Sequence, residues 1–172
     1  MTRSLRLLLP LLLSAGCHRA ESSEEWEVSI RGYGPIEAGM TVAEAEKAGG
    51  GAFERSDSLE SGCHMARLAG DSGKGPLFMV VDGKIARVDV TGPGIQTNHK
   101  VAVGDDEAKI AKVYPERVTV SPQKYTEGHY VKVGPRTEAD SGFEVVFETD
   151  SQKVTRYRAG RLPEVEYVEG CS

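Results

Sequence analysis

Chemistry in this 172-residue chain would have to come from a short roster of side chains: three cysteines (Cys17, Cys63, Cys171) and four histidines (His18, His64, His99, His129). Thiols can be acylated, pair with each other, or act as nucleophiles beside an imidazole. No Cys-x-x-Cys is present, which argues against a redox-active pair. The histidines are scattered, with no His-x-x-x-His and no nearby carboxylate at metal-ligand spacing. His64 next to Cys63 would be a thiol–imidazole pair only if the thiol were free. Asp105-Asp106-Glu107 lacks the alternating spacing of a calcium loop and reads as a helix start. Gly49-Gly50-Gly51 does not join a strand to a helix, so it is no phosphate cradle. No metal, cofactor or catalytic constellation is expected.

The elements that must position these residues begin with the first sixteen. Arg3 and Arg6 precede an apolar run through Leu13, then small residues Ser14-Ala15-Gly16 lead to Cys17. A secretory signal needs these three parts. The run is shorter than the roughly 20 residues that span a bilayer. Ala15-Gly16-Cys17 resembles the lipobox of bacterial lipoproteins, with Ser14 in place of the usual Leu. That resemblance implies cleavage before Cys17 and acylation of its sulfur and amine. Each buried methylene is worth about 0.8 kcal/mol, and two or more chains make a stable anchor. His18, in place of an inner-membrane-retaining Asp, implies the outer membrane, facing the periplasm. Without lipidation the product would be a soluble periplasmic or secreted protein. With Cys17 committed to lipid, Cys63 and Cys171 form an even pair in an exported chain and are expected to be disulfide-bonded. A loop of that length is worth roughly 4 to 5 kcal/mol in the chain-entropy treatment.

Cleavage leaves 156 residues and moves the net charge from −5 to −7, through loss of Arg3 and Arg6. That is one ordinary domain. It has no basic block, which disfavours nucleic acid. Residues 17–31 read as the lipidated N-terminus and an acidic tether, with Trp26 opening the folded part.

From Gly32 the pattern is given twice. Ile36-Glu37-Ala38-Gly39 precedes a helix from Val42, whose Thr41 and Glu44 form a capping box and which stops at Gly49-Gly50-Gly51. Val101-Ala102-Val103-Gly104 precedes a second helix, capped by Asp106 and ending near Tyr114-Pro115. Leu77–Val81, Asp82-Gly83 and Lys84–Val90 spell a hairpin. Phe143–Glu148 and Lys153–Arg158 spell another, and Lys-Ile-Ala-Arg-Val at 84–88 matches Lys-Val-Thr-Arg-Tyr at 153–157. Further strands are expected at Cys63–Leu68 and at Tyr130–Val133, the latter extended by Val118–Val120. The expected fold is α+β: two similar helix-plus-antiparallel-meander units, 32–96 and 97–172, forming one domain with helices on one sheet face.

Gly32-Tyr33-Gly34-Pro35-Ile36 and Val103-Gly104-Asp105 resemble motifs of uncharacterised envelope lipoproteins. Gly39-Met40-Thr41 with Glu44 is similar to the helix entry of the small lipoprotein of the outer-membrane barrel assembly machine. The duplicated plan resembles the β-lactamase inhibitor protein fold, without that inhibitor's aromatic-rich face. None of these implies a catalytic residue. Gly70-Asp71-Ser72-Gly73 is similar to a serine-protease nucleophile loop, but Lys74 departs from that pattern and the chain is too short for two barrels. Strand periodicity places Arg87, Asp89, Arg156 and Arg158 on one sheet side, a charged docking face for an envelope protein. The expected function is therefore a non-catalytic binding or scaffolding lipoprotein, whose partners are the membrane and that envelope protein. A small periplasmic hydrolase or ligand-binding protein with an unrecognised site is the alternative, and a structural envelope-stress protein a third.

Overall fold

The computed structural model describes residues 25–55, 62–70 and 73–171. The expected leader, Cys17 and the Asp71-Ser72 pair of the Gly-Asp-Ser-Gly stretch lie outside them. Strands β1 (Val28–Ser29), β2 (Gly32–Tyr33) and β3 (Ile36–Glu37) make a small antiparallel sheet. Helix α1 (Val42–Gly49) follows, then β4 (Phe53–Arg55), β5 (Cys63–Leu68), β6 (Leu77–Val81) and β7 (Lys84–Val90). Helix α2 (Glu107–Val113) precedes β8 (Val118–Pro122), β9 (His129–Val133), β10 (Phe143–Thr149) and β11 (Val154–Arg161). The last eight strands form one antiparallel sheet in the order β4-β5-β6-β7-β11-β10-β9-β8. The fold is α+β, with two helices among the described residues and two antiparallel sheets.

Local chemistry explains the boundaries. The Thr41 hydroxyl accepts from the Glu44 amide at 3.3 Å, and the Glu44 carboxylate accepts from the Thr41 amide at 2.8 Å, closing the capping box. Gly50 ends α1 in the left-handed region at φ 72°. Asp82 and Gly83, with φ 50° and 74°, turn β6 into β7 as a tight hairpin demands. The second helix departs from expectation: Asp106 occupies the N-cap but makes no capping bond. Its carboxylate instead takes the Lys153 ammonium at 2.6 Å. Neighbouring Asp105 secures the entry, accepting from the Ala102 amide at 2.7 Å and from Lys109 at 2.8 Å.

Both helix entries are stitched to a hairpin by corresponding backbone bonds. The Gly39 amide donates to the Ile85 carbonyl, and the Ile85 amide to the Met40 carbonyl, at 2.7 and 2.8 Å. The Gly104 amide donates to Val154, and the Val154 amide to Asp105, at 2.8 and 2.9 Å. Each hairpin shifts register one residue on, at Met79/Val80 and at Glu148/Thr149. The surroundings differ: β1–β3 precede only α1, and 3-10 turns at Glu138–Asp140 and Glu164–Glu166 occur only after α2. Val118–Pro122 is a strand of its own rather than an extension of β9, and β4 is an element the sequence did not announce.

Ala45 of α1, Ile110 of α2 and Tyr114 just after it join Phe78, Val88, Val131, Val145, Phe147 and Tyr157 in one buried cluster. The helices therefore cover one sheet face. Val28 belongs to the same core, stitched by backbone bonds to Gln96 and Asn98. No described helix is long and apolar enough to cross a membrane.

Candidate functional site

The opposite face carries the expected charged row. Register pairs Arg158 with Asp89 and Glu148 with Arg156. The Arg87 Nε donates to Asp89 Oδ2 at 2.8 Å, Arg156 Nε donates to Glu148 Oε2 at 2.6 Å, and Arg158 bonds the other Glu148 oxygen. All four expected residues are thus brought together, around a glutamate that the sequence reading left out. The hairpin pairing of β10 with β11 was the signal that could have found it.

This face is not open. Arg87 and Arg158 are each 3% exposed, because the last ten described residues fold back over them. Beneath this C-terminal strap, Arg87 Nη1 donates to the carbonyls of Glu164 and Tyr167 at 2.7 and 2.6 Å. Arg158 Nε donates to the Val165 carbonyl at 2.5 Å, and Val165 is fully buried. The expected Cys63–Cys171 disulfide is present and fastens the strap's end to β5. Of the four residues only Arg156 keeps a half-exposed side chain. Burial pushes the Asp89 carboxyl up, with Arg87 pulling it back. Burial likewise draws Arg87 down. A cavity of about 430 Å³ remains between strap and sheet, bounded by Met65, Leu77, Asp89, Arg156 and Val168. Gly160 is needed here: a Cβ would sit 2.4 Å from the Ala86 carbonyl oxygen, where β11 lies against β7.

The residues weighed for catalysis do not converge. His129 Nδ1 lies 2.9 Å from Glu107, whose carboxylate also takes the Thr149 hydroxyl. The hydroxyl bonds the carboxylate and not the imidazole, so this trio lacks a nucleophile–base contact. Asp105, Asp106 and Glu107 each serve a different partner: Lys109, Lys153 and His129. Among the described residues no group of three His, Cys, Asp or Glu side chains could hold a metal. His64 lies on β5 opposite Val80, beside a cysteine already bonded. His99 packs at a tilt against Tyr114, ring centroids 4.5 Å apart.

The two edges of the large sheet differ. Edge β4, described as Phe53–Arg55, carries exposed Glu54 and Arg55. Edge β8 is five residues long, Val-Thr-Val-Ser-Pro, with no charge, and Val120 is 53% exposed. Tyr125, in the turn to β9, is 64% exposed and touches the strap through Glu169.

The chain is similar in fold to the crystal structure of the uncharacterized protein yfeY from Escherichia coli. The two share 15% sequence identity and superpose with a TM-score of 0.50, over 78% of this chain and 99% of that one. At that identity the likeness speaks to fold alone. No protein-family model matches the chain, and no curated protein matches it.

Proposed function

We propose that this chain is an envelope lipoprotein, held through acylated Cys17 on the periplasmic side of the outer membrane, whose domain binds or scaffolds another envelope protein and carries no catalysis of its own. The lipobox-like Ala15-Gly16-Cys17 supports the address, and the Cys63–Cys171 bond agrees with an oxidising compartment. The domain itself descends from two similar helix-plus-meander units. The paired stitches at Gly39/Ile85 and Gly104/Val154, with the shared register shifts, support that descent.

The contact moves away from the charged face, whose arginines already hold the strap. The observation that carries the new assignment is edge β8: uncharged, rich in β-branched residues, and flanked by exposed Tyr125. Proteins guard such edges with charge, as β4 does with Glu54 and Arg55. An unguarded edge is suited to an added strand, where backbone bonds give affinity and side-chain pockets give selectivity. The partner is an extended segment of an envelope protein.

Two experiments test this. Fatty-acid labelling in cells marks wild type and not Cys17→Ala; equal labelling removes the anchor. A photo-crosslinking residue at position 120 traps a discrete adduct that the same residue at position 54 does not. Placing the crosslinker at Thr119 and adding Val120→Lys abolishes that adduct. Equal adducts from both edges, or one indifferent to Val120→Lys, remove the edge.

A further inference from the structure

On the helix side of the sheet, at the C-terminal end of α2, lies a cleft of about 290 Å³. We infer that it is a binding site for a small organic anion, a carboxylate or phosphate on a ring-bearing apolar body. The site is independent of whatever occupies β8.

The walls are basic. Arg31, Arg117, Arg136 and His99 line the cleft, and Asp140 is the sole acid among its lining residues. Asp140 is spent on Arg31, which donates to it at 2.8 Å and to the Ala139 carbonyl at 2.9 Å, and whose guanidinium lies 4.7 Å from the Phe143 ring. After that pair cancels, two guanidiniums remain with no carboxylate in salt-bridge reach among the described residues. They sit in one cleft of a molecule whose net charge is −5. Such a concentration of unmatched positive charge is what an anion would neutralise.

The donors are held ready. The Arg117 guanidinium lies 5.2 Å from the centre of the Tyr114 ring and gives one N–H to the Gly134 carbonyl at 3.3 Å. A guanidinium has five N–H donors in a fixed fork, so most of this one is unspent. The His99 ring is held by its tilted contact with Tyr114 and by Asn98 Oδ1, 2.8 Å from Nδ1, with no described partner at Nε2. Burial, then Arg117 and Arg136, hold the His99 imidazole below its ordinary pKa. An anion between the two arginines would offset their charge and raise it.

The floor sets the ligand's body. Tyr114, Val133 and Val145 are nearly fully buried and present an aromatic ring and two branched side chains. A volume near the lower end of ligand pockets admits a single ring with one charged group and excludes a nucleotide. Arg117 and Arg136 are not marked by the sequence because they lie 19 residues apart, on either side of the β8–β9 pair, with no motif between them.

Calorimetric titration of the purified protein with phenyl phosphate, with benzoate and with inorganic phosphate tests the site. Saturable one-to-one binding is expected for a ring-bearing probe, with inorganic phosphate weaker. Tighter binding of phenyl phosphate or of benzoate identifies the preferred head group. Arg117→Ala with Arg136→Ala should weaken binding about tenfold or more, whereas Lys47→Ala on α1 leaves it unchanged. The NMR-detected pKa of His99 should rise on loading in the wild type and stay put in the double variant. Absence of binding by both ring-bearing probes, or a folded double variant that binds as tightly as wild type, overturns the assignment.

Discussion

The two faces of the large sheet are closed in opposite ways. On the helix side, Phe147, Tyr157, Val88 and their neighbours pack against two short amphipathic helices, and no charge enters the cluster. On the strap side, two arginines and Glu148 are as deeply buried as the valines. They are satisfied by each other and by carbonyls of the chain's own C-terminus. The first face is held by area removed from water, which is non-directional. The second depends on every donor having its acceptor, because a buried charge without a partner is costly.

That difference predicts different responses to double substitution. Phe147→Ala should cost about 4 kcal/mol by cavity formation, with no neighbouring polar change able to restore it. Arg158→Leu should cost about 3 kcal/mol, since it leaves Glu148 only half paired and the Val165 carbonyl without its donor. Adding Glu148→Leu should recover part of that loss, because no buried charge is then left half paired, while the Val165 carbonyl still lacks its donor. Urea denaturation of the two single variants and the pair measures this. If Arg158→Leu and Glu148→Leu are additive, the charged face is not a coupled unit.

The same contrast explains what the sequence revealed. The helix-side face was legible because it is built locally: Thr41 with Glu44, Gly50, and Asp82-Gly83 each announce a boundary, and hydrophobic alternation marks the strands between. The disulfide was legible from cysteine arithmetic once the lipobox resemblance set Cys17 apart. The strap was not. Pro163, Val165 and Tyr167 carry no period, and their role comes from contacts with Arg87 and Arg158 on distant strands. Alternating charges on β7 and β11 read as a solvated face unless something is known to cover them. Asp106 misled for a related reason: its residue type suits a cap, but the long-range Lys153 takes its carboxylate.

The strap's two fastenings can be separated next. Replacing Cys63 and Cys171 with serine should lower stability by about 2 to 4 kcal/mol, chiefly through the unfolded chain. Arg87 and Arg158 should still hold residues 164–167 in place. Limited proteolysis with mass analysis should therefore show cleavage confined to residues 168–171 in the native double-serine variant. Cleavage extending through Val165 would mean that the disulfide, and not the arginines, seats the strap. The helix side serves as control, and amide exchange of α1 should be unchanged apart from the global loss.

The smallest effects concern two carboxylates, one on each side of the comparison. Thr41→Ala should cost about 1 kcal/mol at neutral pH through loss of the α1 cap. The Thr41 amide, then its hydroxyl, hold Glu44 below its ordinary 4.5. Its contribution is therefore present above the unfolded pKa and is lost as pH falls through the lowered folded value. Asp89 runs the other way. Burial raises it above its ordinary 3.8 despite Arg87, so its contribution is full below the unfolded pKa and is lost as pH rises through the raised folded value. Urea titrations across the acid range should then give opposite slopes of relative stability for Glu44→Gln and Asp89→Asn, each measured against wild type. Wild type should lose its advantage over Glu44→Gln on acidification and lose ground to Asp89→Asn as the pH climbs. Parallel slopes would mean that Asp89 is held by its arginine more firmly than burial opposes it, and the charged face would then stabilise the fold by attraction rather than merely by being satisfied.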